Sequence, residues 1–293
     1  PLGMDHSDCL DMPSEELTTG YHRAPDHDER DVFELISRDL PEEAAVDGHN
    51  IRGRYQYVRT RAAGAVQSTI PDMARYASAL LRKGSGIVRP ATFDLMTGPH
   101  WCPDERMVNV GLCFMRSRRF GRATFGHGGG IIGGWNTQIV VVPEEDLALL
   151  VHLNLWYDGF GGVADRGLQA VLDAPIVTLP ARTTRPDVLA AAPGVYEPTP
   201  DHLTNYRTVR TTGRVQVTAQ DGELFLRSRR GPWREGVRMV PADPADPAVF
   251  ALDTGGPEPP LVALVRDTDG AVTGVRFDRM VELVRNEALE PWA

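Results

Sequence analysis

Between Arg122 and Gly134 the chain places six glycines in thirteen residues, and two apolar runs follow at once. The first is Thr137-Gln138-Ile139-Val140-Val141-Val142 and the second Leu147-Ala148-Leu149-Leu150-Val151-His152-Leu153-Asn154. Neither alternates polar and apolar residues as a half-solvated strand does. Both predict strands buried on both faces, and Pro143-Glu144-Glu145-Asp146 between them predicts the turn of a hairpin. Upstream, Gly111-Leu112-Cys113-Phe114-Met115 predicts a further strand.

Helices flank this β region. Thr69 and Asp72 have the spacing of a capping box, and Pro71 is tolerated in a first turn whose N–H groups are orphaned anyway. Met73, Tyr76, Ala77, Leu80 and Leu81 recur at helical spacing, and Gly84 stops the run. A short helix is expected over Pro90–Met96. Phe160, Val163, Ala164, Leu168, Val171 and Leu172 mark an amphipathic helix after the hairpin.

With 293 residues the chain is long enough for two domains. From about 174 to 194 it turns rich in Pro, Ala, Thr and Arg, which reads as a linker. Beyond lies an all-β pattern. Asp221-Gly222 and Asp269-Gly270 stand between apolar runs as hairpin turns, and Pro241–Pro247 reads as a loop. The expected domains are therefore 1–175, a linker over 176–193, and a small barrel, lipocalin-like in outline, over 194–287. Residues 1–60 read as irregular chain with short helices.

Composition removes several functions. A net charge of -9 disfavours nucleic-acid partners. No apolar run approaches the roughly 20 residues of a membrane-spanning helix. Three cysteines, Cys9, Cys102 and Cys113, are too few for a disulfide scaffold, and buried free thiols are expected. Eight histidines without His-Glu-x-x-His or paired Cys/His spacing indicate no metal site, and no cofactor is expected.

The chemistry centres on Gly126-His127-Gly128-Gly129-Gly130. Glycines let a ligand approach the main chain closely and expose its N–H groups. The plain alternative is a flexible turn with a surface histidine. An α/β-hydrolase oxyanion loop would need a downstream Gly-x-Ser-x-Gly elbow, which the chain lacks. A phosphate loop would need Gly-Lys-Ser/Thr, also missing.

Four segments together resemble the class C β-lactamase-like serine hydrolases, a family with esterase and D-aminopeptidase members. Pro1-Leu2-Gly3-Met4 with Gly20-Tyr21 resembles the segment after that family's second catalytic motif. Gly64-Ala65-Val66-Gln67-Ser68-Thr69, followed by Asp72 and Arg75, resembles a helix start in the family, with Ala65 at a usual glycine. Gly126-His127-Gly128-Gly129-Gly130, then Pro143-Glu144 and Asn154, resembles the third motif and its trailing strands. The resemblance covers about residues 1–175. It implies an α+β sandwich, an antiparallel sheet with flanking helices, present here in part and followed by the small barrel.

The resemblance also implies an acyl-enzyme mechanism on a small-molecule or peptide-like substrate. The family's nucleophile is the serine of Ser-x-x-Lys, assisted by Tyr-x-Asn. Lys83 is the only lysine and Leu80 stands three residues before it, while none of the seven tyrosines has asparagine two positions on. Both motifs are therefore expected upstream of Pro1, in a missing N-terminal part of the same domain, and the chain alone is expected to be inactive. A tag scar is the competing reading of Pro1–Met4, and a degenerate or purely binding homologue the competing reading of function.

In the family's third motif His127 would assist proton transfer or polarise the substrate, and Gly130 would donate an oxyanion-hole N–H. Gly128 and Gly129 would let substrate lie along the strand edge, and Trp135 would line the cleft or join the core. Gly128 lacks the hydroxyl that helps β-lactamases bind a carboxylate, which favours an ester or neutral amide. Elsewhere, His22 and His27 are expected to be solvated, and His152 to be a hydrogen-bonded core histidine. Asn154 is expected to make a turn contact, and Arg116, Arg118 and Arg119 to form a solvated edge.

Overall fold

The computed structural model describes residues 1–9, 17–23, 50–53, 61–131, 134–156, 160–179, 183–199, 213–229, 233–243, 245–278 and 281–292. The chain forms two compact units, one of Pro1–Pro103 with Asn109–Asp173, the other of Asp104–Val108 with Ala174–Ala293. His27 lies outside the described residues. No helix among the described residues is long and apolar enough to cross a membrane.

The first unit contains β1 (Tyr21–Arg23), β2 (Asn50–Arg52), α1 (Arg61–Gly64), α2 (Ile70–Leu81), α3 (Pro90–Thr97), β3 (Asn109–Val110), β4 (Met115–Arg119), β5 (Arg122–Ile131), β6 (Trp135–Val142), β7 (Leu147–Leu153), β8 (Leu155–Trp156) and α4 (Phe160–Val171). Strands β3 to β7 make one antiparallel sheet in chain order, and β1 lies between β2 and β8 in a second.

The expected α2 helix starts as its sequence requires. Thr69 accepts the Asp72 N–H at 3.3 Å, and Gly84 closes the end at a φ of 73°, a conformation glycine adopts without steric cost. The Asp72 carboxylate accepts the Ser7 hydroxyl and the His6 N–H, each at 2.8 Å, and pairs with Arg75 at 2.7 Å. It thereby ties the first residues of the chain to the helix start.

Both sheet faces are covered, which explains the unbroken apolar runs. Phe125, Ile139 and Val141 pack with Ala77, Leu80, Phe93 and Phe114 on the α2–α3 side. Phe93 and Phe114 meet Phe125 edge-on at 5.8 and 5.2 Å. Val140 and Val142 turn to the other face and meet Leu168 of α4. This is the α+β sandwich that the resemblance implies.

The strand expected at Gly111–Met115 begins only at Met115. A Cβ on Gly111 would stand 2.3 Å from the Met96 carbonyl, and the Leu112 N–H donates to that carbonyl at 3.0 Å. Residues 111–114 therefore turn to satisfy the end of α3 before β4 can form. Cys102 and Cys113 are exposed and Cys9 half-buried, so the thiols are not core residues. Arg119 pairs with Asp165 at 2.6 Å, Arg116 donates to Asn109 at 2.8 Å and Arg118 donates to the Gly121 carbonyl, so all three residues of the expected solvated edge have partners.

The second unit is a closed barrel of β9 (Gly194–Glu197), β10 (Val215–Gln220), β11 (Glu223–Ser228), β12 (Val237–Asp243), β13 (Asp246–Leu252), β14 (Leu261–Arg266), β15 (Val272–Phe277) and β16 (Val281–Arg285), with β9 joining β16 to β10. Asp221 and Gly222, at φ of 51° and 80°, form the expected β10–β11 turn. The loop expected at Pro241–Pro247 is instead the β12–β13 hairpin, with Pro241 opposite Phe250. The register shifts just after Pro241, and such an irregularity is where a strand tolerates proline.

Tyr196, Leu224, Leu226, Met239, Leu252 and Leu283 fill the barrel interior, which is a packed core. Within the stretch read as linker, α5 (Pro186–Ala191) sends Val188 into that core, and Ala192 follows it there. Met107 packs on Val249 and Ala263, and the Val108 N–H donates to Asp278 at 2.6 Å. Asp104–Val108 is held to the barrel by these contacts.

Candidate functional site

His127, Gly128, Gly129 and Gly130 all lie on β5. The glycines are extended strand, with no positive φ among them. Their lack of side chains is thus explained by space rather than by backbone conformation. Opposite them on β6 the register places Ile139 against His127, Gln138 against Gly128, Thr137 against Gly129 and Asn136 against Gly130.

Each glycine is overhung by a neighbour. A Cβ on Gly128 would stand 3.1 Å from Gln138 Oε1, on Gly129 2.5 Å from Thr137 Oγ1, and on Gly130 2.7 Å from the Trp156 ring. The volume above the motif is filled from β6 and β8, and the opening lies in the plane of the sheet. β4 pairs with β5 only as far as Met115 opposite Gly126. From His127 to Ile131, β5 pairs with β6 alone among the described residues. Alternate residues of such a stretch turn their N–H and C=O groups to the unpaired side.

His127 is exposed. Its Nδ1 lies 2.6 Å from the Gly128 carbonyl oxygen. A carbonyl only accepts, so Nδ1 carries the proton and donates, and in the neutral ring Nε2 bears the lone pair. Period-two alternation puts His127, Gly129 and Ile131 on the α2–α3 face with Phe125, and Gly128 and Gly130 on the α4 face.

Trp135 is half-buried and opposite Ile131, and its Nε1–H donates to Thr18 at 3.4 Å. It closes the hairpin end beside the glycines. The turn before it needs glycine: Gly134 has a φ of 110°, and a Cβ there would meet the Tyr21 nitrogen at 2.1 Å.

Other histidines differ from expectation. His22 is buried, because β1 is the middle strand of its sheet, and burial lowers its basicity. His152 is only half-buried on β7, with its basicity also lowered by burial. Asn154 reaches across the fold, donating from Nδ2 to the Thr19 carbonyl at 2.9 Å while its own carbonyl accepts the Tyr21 N–H at 2.8 Å. Among the described residues no three His, Cys, Asp or Glu side chains are grouped to hold a metal ion.

Thr137 and Trp156 are the residues at this site that the sequence pattern did not single out. The pairing of Thr137 with Gly129 follows from a hairpin whose innermost pair is Ile131 and Trp135, since each step outward adds one residue on each arm. Nothing in the sequence signals Trp156, which comes from a strand outside the hairpin.

Comparison with solved structures finds distant similarities. The octameric penicillin-binding protein homologue from Pyrococcus abyssi is 17% identical, with a TM-score of 0.45, covering 97% of this chain and 57% of its own. A structure described as SurE is 19% identical, with a TM-score of 0.49, covering 83% and 54%. The D-amino acid amidase from Ochrobactrum anthropi SV3, complexed with D-phenylalanine, is 22% identical, with a TM-score of 0.41, covering 60% and 50%. The chain thus spans little more than half the length of the first two. No curated protein matches it. The Beta-lactamase family model matches residues 1–174, more than half the chain and all of the sheet that carries His127 and its glycines, and the chain belongs to that family.

Proposed function

We propose that this chain supplies the third-motif strand of a serine hydrolase that acts through an acyl-enzyme on an ester or neutral amide. One observation carries the reading: the edge of β5 from His127 to Ile131, paired with β6 alone among the described residues, beside an exposed imidazole and three glycines. An extended substrate can lie along such an edge as an added strand.

The nucleophile is the serine of a Ser-x-x-Lys outside residues 1–293, since the chain has no such motif. Its hydroxyl attacks the carbonyl, and the Gly130 N–H donates to the resulting oxyanion. A donor of that kind is worth about 2.7–4 kcal/mol in the transition state. The neutral His127 ring accepts a proton at Nε2 and returns it to the leaving group. Collapse expels that group and leaves the acyl-serine, which water then hydrolyses. With glycine at 128 there is no hydroxyl to hold a substrate carboxylate, which supports an uncharged substrate.

The test is His127→Ala in the polypeptide that joins residues 1–293 to the nucleophile. Turnover of a short acyl ester is expected to fall more than tenfold. An unchanged rate removes His127 from the mechanism.

A further inference from the structure

We propose that Thr137 is a substrate-positioning residue of this site, its hydroxyl binding an amide group in the acyl part of the substrate on the His127 side of β5. The inference rests on the reading above and names a recognition element within it.

Three observations converge on Thr137. The register sets it directly opposite Gly129, so the two residues share a sheet face, and His127 lies on that same face two residues along. The hydroxyl takes the place that a side chain at 129 would fill, since a Cβ there would stand 2.5 Å from Oγ1. The motif's central glycine therefore carries a polar group above it, lent by the neighbouring strand. The hydroxyl's bond to the Gly129 carbonyl is 3.4 Å, near the limit of a hydrogen bond, and is readily exchanged for a better partner.

Packing gives no reason for the hydroxyl. Ile139, Val140, Val141 and Val142 continue the strand as aliphatic residues. Valine would match threonine in shape and in β preference, so a structural role alone is served equally by either. Across the strand on the other side lies His152, which burial holds toward its neutral form. The register thus sets Thr137 between His152 on one side and a glycine on the other. An uncharged group that both donates and accepts fits an amide, whose N–H and C=O offer the matching pair.

The experiment compares Thr137→Val and Thr137→Ser in the nucleophile-bearing polypeptide, with p-nitrophenyl acetate and the p-nitrophenyl ester of N-acetylglycine as probes. Thr137→Val is expected to lower kcat/KM for the amide-bearing ester about tenfold and to leave the acetate rate nearly unchanged. Thr137→Ser is expected to restore the amide preference, and the thermal midpoint of the valine variant to stay at the parent value. Equal losses on both esters, or no loss on either, overturn the proposal. His127→Ala separates the two levels: if it halves neither rate, His127 leaves the mechanism and the site on which this proposal stands falls with it, whereas a large His127 effect with a silent Thr137→Val removes only the role of Thr137.

Discussion

The His127 imidazole and the Gly128 carbonyl are joined by a 2.6 Å hydrogen bond between neighbouring residues of one strand. The contact fixes the ring against its own backbone and decides which nitrogen is available for chemistry. At neutral ring charge Nε2 can only accept, so His127 enters a reaction as a base before it can act as an acid. Nitrogen-15 NMR of the neutral ring is expected to show the Nδ1–H tautomer in excess for His127. A dominant Nε2–H form would mean that the ring does not hold this contact in solution.

The close approach of Trp156 to Gly130 has a measurable cost if it is crowded. Gly130→Ala puts a methyl group 2.7 Å from the indole and forces it aside. A loss of about 1–3 kcal/mol in urea unfolding is expected, as for other overpacked sites. Trp156→Ala removes the obstacle, so Gly130→Ala in that background is expected to cost clearly less. Equal costs in both backgrounds would separate the two residues energetically.

A pH effect follows from His22. Burial lowers its basicity in the fold, so the unfolded chain binds its proton first as pH falls. Stability from this group is complete above the unfolded value near 6.5 and declines below it, until the folded state is protonated as well. Unfolding free energy measured from pH 8 to pH 5 is expected to fall at the acid end, and less so for His22→Gln. An identical pH slope in the two proteins would assign the decline to other groups.

Much of the first unit was legible because its signals are local. The Thr69 cap, the helical spacing through Leu81 and the apolar runs of β6 and β7 each specify one element and fit the family pattern. The misreadings share a cause: an element set by partners outside its own run of sequence. Gly111–Phe114 turns for the carbonyl of Met96. His22 sits in an acidic stretch of sequence yet becomes a buried central-strand residue. Pro241 looks like loop chemistry until the register shift beside it is seen. At the site, His127 and its glycines were readable as a motif. The side chains that overhang them were not, because those contacts depend on register and on a separate strand.

The barrel offers a test of its own. Tyr196 is fully buried, its hydroxyl donates to the Ala192 carbonyl at 2.6 Å, and burial pushes its pKa to about 12. The bond ties β9 to the end of α5, the helix that closes this core. Tyr196→Phe leaves the carbonyl without that donor and is expected to cost about 1–3 kcal/mol in the barrel's unfolding transition. A change within a few tenths of a kcal/mol would show that water replaces the lost donor.

The central proposal is that this chain presents the edge strand of a serine hydrolase whose nucleophile lies outside residues 1–293. Labelling with a fluorophosphonate, followed by peptide mapping, tests it most directly. The chain alone is expected to remain unlabelled, while a polypeptide joining it to the proposed nucleophile is expected to carry one adduct, on the serine of a Ser-x-x-Lys. A specific adduct on any serine within residues 1–293, or none in the longer polypeptide, would contradict the account.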